Sequence, residues 1–289
     1  MTLGYQAPLT ALDAATGQTV VTYAGTERAD EIVHDGGLLV LCIHMPVESN
    51  DVPAGQQPSR REEAGPAVLV ALEAGTGRRL WQTEPGVVVP LSLALNRPHV
   101  FYHDGEAVVS LDVASGQERW RTPTEPAAHS VCNTDTTLVV YKDIVLCVGG
   151  RQLVGLSAAD GKALWKLPGA RGFGSTACPP DLFVADGLLW YGVEGVEATS
   201  ITGYDPWTGR PARKVDLGML ITRGHHSRCY RSKATDNYLL LPKRGVEFLD
   251  LDEGRHSRHN WVRGACRYGL CPATGCSTAR RIRASATPA

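Results

Sequence analysis

The chain has 289 residues, 43% hydrophobic and 20% charged, with a formal net charge of -1. This composition excludes a mostly disordered chain. The balance of 29 basic against 30 acidic residues excludes a chain-wide basic field for nucleic acid. No apolar run approaches the roughly 18 residues that span a bilayer, and Met1–Pro8 lacks the basic and apolar regions of a signal peptide.

Thirty-one glycines and 18 prolines interrupt the chain throughout. Between them lie short apolar runs, such as Leu38–Ile43, Leu138–Tyr141 and Tyr238–Leu241. Such runs bounded by turn residues predict strands and a sheet-only fold. Asp35-Gly36, Asp104-Gly105 and Asp186-Gly187 predict hairpins. Residues 46–66, PVESNDVPAGQQPSRREEAGP, read as a solvated polar loop, or alternatively as a lid over one face.

A hexapeptide recurs along the chain. It reads LDAATG ending at Gly17, LEAGTG at Gly77, LDVASG at Gly116 and LSAADG at Gly161, with weaker copies YDPWTG at Gly209 and LDLDEG at Gly254. Successive glycines are 60, 39, 45, 48 and 45 residues apart. A period near 45 built from short strands predicts propeller blades. The acid can accept hydrogen bonds from turn amides, as can the Thr or Ser before the glycine. The glycine permits positive φ, and the Leu or Tyr is expected to end an inner strand facing the core. Four residues after the glycine, three copies carry Trp81, Trp120 and Trp165. Each indole can lie over a neighbouring blade and bury ~150–250 Å². The other copies carry Val21, Arg213 and Arg258 there, so looser junctions are expected.

These repeats resemble those of the PQQ-like β-propeller family, which includes quinoprotein alcohol dehydrogenases and the propeller lipoprotein of the outer-membrane assembly machinery. The resemblance covers nearly all of residues 9–275 and implies an all-β, PQQ-like β-propeller of about six blades, part of a seven- or eight-bladed one. Residues 223–269, including Arg223-Gly224-His225-His226-Ser227-Arg228-Cys229-Tyr230 and Asn260-Trp261-Val262-Arg263-Gly264-Ala265-Cys266, are similar to large PQQ-like repeat proteins of environmental bacteria. Related proteins are often exported, which would permit a disulfide such as one between Cys229 and Cys266. Residues 276–289 form a basic tail without strand alternation. Related chains continue differently there, so the tail reads as frame-shifted; a natural basic tail is the alternative.

The polar interest concentrates in the last third. His225, His226, Cys229, His256, His259 and Cys266, with Cys271 and Cys276 nearby, are ligand types for zinc or copper, and calcium also enters as a candidate. Their spacing matches no metal signature, and a mixture of buried cysteines, a disulfide and exposed histidines is the competing account. Cys42, Cys132, Cys147 and Cys178 fall in or near apolar runs, where cysteine acts as a small hydrophobe. The dehydrogenase resemblance would imply a vicinal Cys-Cys pair and a tryptophan platform for the quinone. No such pair occurs, so PQQ is not supported by motif. Trp190 or Trp207 could stack on a ring, but core or blade packing is the stronger account of both.

Asp181, Glu194 and Glu197 could meet at a propeller face for acid–base work. The cluster Arg223, Arg228, Arg231, Lys233, Lys243, Arg244, Arg255, Arg258, Arg263 and Arg267 could attract an acidic polysaccharide or form a solvated face. The expectation is a binding or scaffold module with a protein or carbohydrate partner on a propeller face, no nucleic acid, no membrane span, and self-association through exposed blade edges. The alternative is an enzyme, either a quinone-dependent oxidoreductase or a hydrolase or lyase acting on carbohydrate.

Overall fold

The structure, a computed structural model, describes residues 7–45, 66–90, 92–126, 136–149, 152–169, 181–191, 200–218, 220–221, 232–252 and 255–262. Their regular structure is entirely β. Two strands, β1 (Leu9–Leu12) and β2 (Thr19–Tyr23), form a first sheet. The second sheet runs in order through β3 (Ala29–Asp35), β4 (Leu38–His44), β5 (Ala67–Glu73) and β6 (Arg79–Gln82). The third contains β7 (Ala94–Asn96), β8 (His99–His103), β9 (Ala107–Asp112) and β10 (Glu118–Pro123). The fourth contains β11 (Thr137–Tyr141), β12 (Ile144–Gly149), β13 (Gln152–Ser157) and β14 (Ala163–Pro168). The fifth contains β15 (Leu182–Ala185), β16 (Leu188–Tyr191), β17 (Ser200–Tyr204) and β18 (Pro211–Asp216). The sixth contains β19 (Lys233–Ala234), β20 (Tyr238–Leu241), β21 (Val246–Asp250) and β22 (Ser257–His259). Each sheet is an antiparallel meander, so the predicted six repeats appear as six propeller-type sheets.

The chain divides into two compact units, Met1–Ala127 with Ser157–Lys162, and Ala128–Leu156 with Ala163–Ala289. In the first, the continuous apolar run of β4 is explained by burial on both faces. Leu38, Val40 and Cys42 pack with Val100 and Val109 of the third sheet. Leu39, Leu41 and Ile43 pack on Tyr23 and the first sheet. In the second unit, Ile144 and Leu146 meet Leu182 and Leu189, while Trp190 and Ile201 meet Leu239 and Leu249. Burying each such side chain is worth about 1.5–3 kcal/mol.

The hexapeptide builds the same turn five times. The glycine amide donates to the backbone carbonyl four residues back, at 2.8 Å for Gly17, Gly77 and Gly116 and 2.9 Å for Gly161 and Gly209. Asp13, Asp112 and Asp205 each accept two turn amides and the Thr or Ser hydroxyl on one carboxylate oxygen. The glycines hold φ between 66° and 74°, as a left-handed turn end requires. The register slips at the same point of each hairpin, for example between Ala11 and Leu12 and between Gly203 and Tyr204. The sixth glycine, Gly254, lies outside the described residues. The predicted hairpin dipeptides also hold: Gly36, Gly105 and Gly187 join β3 to β4, β8 to β9 and β15 to β16.

Each last strand clasps the next turn. The Trp81 indole donates to Val113 O at 2.8 Å, Trp120 to Ala158 O at 3.1 Å and Trp165 to Pro206 O at 2.8 Å. In every case the acceptor follows the first turn residue, and the ring covers the turn glycine. A Cβ on Gly116 would stand 2.6 Å from Trp81, and one on Gly209 would stand 2.8 Å from Trp165.

The expected loose junctions are instead closed by other donors. Tyr23, two residues beyond Val21, donates its hydroxyl to Ala74 O at 2.7 Å and lies over Gly77. Arg213 donates to Leu251 O at 3.0 Å and pairs with Asp186 at 2.6 Å. Arg258 is exposed. The inward-facing rule holds for Leu72, Leu111, Leu156 and Leu249, all at most 3% exposed, but Leu12 is 58% exposed. Leu12 ends β1, and among the described residues no sheet packs on that side of the first sheet.

Candidate functional site

Of the six residues predicted to hold a metal, His225, His226, Cys229 and Cys266 lie outside the described residues, as do Cys271 and Cys276. His256 precedes the sixth sheet's last strand and His259 ends it. Both ring nitrogens of His256 are engaged. Nδ1 accepts the Asp250 amide at 3.2 Å, which leaves Nε2 to donate to Asp216 O at 2.7 Å. The ring thus ties β21 to the end of β18, and a metal at Nε2 would have to displace that carbonyl. His259 sits edge-on to Phe248, with ring centroids 5.2 Å apart, and Nε2 lies 3.4 Å from Ser257 Oγ.

The two tryptophans weighed as quinone platforms are both committed to packing. Trp190 is fully buried and donates to Ala185 O at 3.0 Å. Trp207 donates to Asp143 at 2.7 Å, leans on Tyr141, and carries the Lys142 ammonium 5.4 Å above its ring. A cavity lined by Asp181, Phe183, Trp190, Tyr191 and Leu239 measures about 10 Å³, room for roughly one water and far too small for an aromatic ring. Asp181 is 8% exposed at its edge, while Glu194 and Glu197 lie outside the described residues.

The basic cluster is partly internal. Lys243 is 1% exposed, and burial pulls its ammonium below the usual lysine range. Glu247, equally buried, accepts the amides of Lys243 and Arg244 at 2.8 and 2.9 Å and so caps the β20–β21 connection. Gly245 is obligatory in that connection, because a Cβ would strike the backbone of His259 and Asn260. These charges build the sixth sheet, and Lys243 cannot reach a polyanion in solution.

One group was not foreseen. In the second sheet, Asp30, Cys42 and His44 bring their ligand atoms within 4.8 Å of one another. The signal in the sequence is Cys42-Ile43-His44 at the end of an otherwise apolar run; Asp30 offers none. Two other histidines, His99 and His103, also lie in β8, with burial pulling both below the usual imidazole range. His103 Nδ1 accepts the Gly105 amide at 2.9 Å and Nε2 lies 2.8 Å from Thr124 Oγ1. His99 Nδ1 lies 3.0 Å from Ser110 Oγ. They are core histidines with hydroxyl partners.

Comparison with known proteins agrees with this architecture. The family model described as outer membrane protein assembly factor BamB matches residues 2–214. No curated protein sequence matches the chain. Among solved structures, BamB from Moraxella catarrhalis is similar at TM-score 0.57 and 16% identity, covering 91% of this chain and 73% of that one. Quinohemoprotein alcohol dehydrogenase from Comamonas testosteroni is similar at TM-score 0.50 and 14% identity, covering 83% of this chain and 44% of the dehydrogenase. At such identities these neighbours speak for the fold alone. With the matched repeats and the six sheets together, the chain belongs to the PQQ-like propeller family described as outer membrane protein assembly factor BamB.

Proposed function

We propose that the chain is a protein-binding scaffold whose partner docks on the exposed end of the sixth sheet. The observation that carries this reading is Trp261, 85% exposed, with Val262 beside it at 44%. Both lie just beyond β22, after Asn260. A solvated indole is costly to leave bare and is the side chain most enriched at the energetic centres of protein interfaces. The chemistry-bearing side chains elsewhere favour the same reading. Turn carboxylates are taken up by their own turn amides, and the tryptophans that could face a cofactor have packing roles. The first sheet adds a second contact mode. Among the described residues β1 pairs only with β2, and such an edge can be extended by a partner strand. No helix among the described residues is long and apolar enough to cross a membrane.

A photo-crosslinking residue at position 261, expressed in the source cells, tests the proposal. One predominant protein adduct is expected. The Trp261→Ala variant should then weaken binding of the purified partner by at least tenfold, the scale of a hot-spot residue. No adduct, or a partner held equally by Trp261→Ala, would overturn the docking site. Quinone-dependent dye reduction by the purified chain would overturn the scaffold reading itself.

A further inference from the structure

The Asp30, Cys42 and His44 group has the makings of a metal site. The register of β3 slips between Ala29 and Glu31, which pair with Ile43 and Cys42. Asp30 is the extra residue of that bulge, and bulges re-aim a side chain from its place in the ladder. Cys42 and His44 are two apart on β4 and so share one face of the sheet. The three ligand atoms therefore converge through backbone geometry rather than through a loop.

One observation marks the group as unsatisfied. His44 is only 6% exposed, and its Nδ1 lies 3.0 Å from Asp30 Oδ2. Yet the contact is poorly aligned, and Nδ1 is left without a hydrogen-bond partner. A buried ring nitrogen in that state is destabilising. Cys42 is 1% exposed, forms no disulfide, and its thiol faces the Asp30 carboxylate. Its thiol is pushed up by burial, and next by the Asp30 and Glu31 carboxylates. Asp30, with its side chain 34% exposed, leaves a route from solvent.

We propose that Asp30, Cys42 and His44 form a zinc site, with one carboxylate oxygen, the sulfur and Nδ1 as ligands and a fourth position open to water. Sulfur, imidazole and carboxylate together suit zinc rather than calcium or magnesium. Zinc bonds of about 2.0–2.3 Å put tetrahedral ligand atoms ~3.3–3.8 Å apart, so Nδ1 and Oδ2, now 3.0 Å apart, open slightly, and the sulfur, within 4.8 Å of both, closes by about 1.5 Å at most. Binding releases the thiol proton to solvent and leaves the His44 proton on Nε2; no redox change occurs.

The test uses the full chain, stripped with a chelator, then titrated with Zn²⁺ against a chromophoric competitor and separately with Co²⁺. One zinc should bind in a Cys42-dependent manner, and Co²⁺ should give a thiolate charge-transfer band that Cys42→Ser abolishes. Asp30→Asn and His44→Gln should each weaken Zn²⁺ by about 10- to 100-fold or more, at least the effect of losing a supporting group. Asp30 is partly exposed, so Asp30→Asn reads the site even if the buried variants fail to fold. Binding that is absent in the parent chain overturns the proposal. So does binding left unchanged by Asp30→Asn and Cys42→Ser but lost in His225→Gln or Cys229→Ser.

Discussion

The clasps at Val113 and at Leu251 use the same acceptor position but different physics. Trp81 reaches Val113 O from a side chain that is 8% exposed and lies over Gly116. Arg213 reaches Leu251 O from a side chain that is 36% exposed, and it holds Asp186 and, more distantly, Asp252 at 3.9 Å. The first junction rests on apolar burial and the second on charge in a partly solvated place. The repeat therefore fixes a bond and leaves the means of making it open.

The largest expected effect breaks the apolar member. Trp81→Ala should cost about 3–5 kcal/mol by denaturant unfolding, as for other buried aromatics. The loss should be nearly independent of salt. Gly116→Ala comes next, at about 1–3 kcal/mol, since it meets both the indole at 2.6 Å and φ near 70°. Gly17→Ala isolates the backbone part of that cost. Gly17 has φ 72° but nothing within 4 Å, so the same substitution there should be milder. Arg213→Ala should cost about 1 kcal/mol, and the difference should shrink at ~1 M salt as the Debye length falls to about 3 Å. An effect that salt leaves untouched would show that Arg213 acts by packing.

Tyr23→Phe removes only the hydroxyl bond to Ala74 O and should cost about 0.5–1.5 kcal/mol. The smallest effects are those of pH. His99 and His103 are held neutral by burial, with pKa values below the ordinary imidazole value. Their contribution is present above about pH 6.5, the unfolded value, and falls as the pH drops through the native values. The Arg119 guanidinium, with Ser115, holds Asp112 down at about 2, so its contribution persists above ~pH 3.9 and fades towards pH 2. A His103→Gln variant should blunt the first decline and Asp112→Asn the second, both visible in melting temperature against pH.

The turns, the hairpins and three of the clasps were legible because all their determinants fall within a few residues. Asp112, Ser115 and Gly116 specify a turn locally, and a tryptophan at a fixed offset advertises a junction. Tyr23 escaped because the donor had moved two places along β2, from the position opposite Ala11 to the one opposite Leu9. Arg213 escaped because an arginine beside acidic residues reads as a solvated surface. The zinc candidate was hidden by its bulge: alternation along β3 gives no sign that Asp30 turns toward Cys42. The histidines of the last third drew attention by number. His256 shows that a ring with two backbone partners can be purely architectural.

The acceptor in every clasp is a main-chain carbonyl, contributed in turn by Ala74, Val113, Ala158, Pro206 and Leu251. A carbonyl oxygen is present whatever amino acid bears it, so the receiving side of each joint carries no spelling of its own. Only a side chain that can donate there is needed, and phenol, indole and guanidinium all serve. Genes built this way can duplicate, delete or exchange whole repeats without creating mismatched joints, and the identity of their modules can drift until little beyond the geometry is shared.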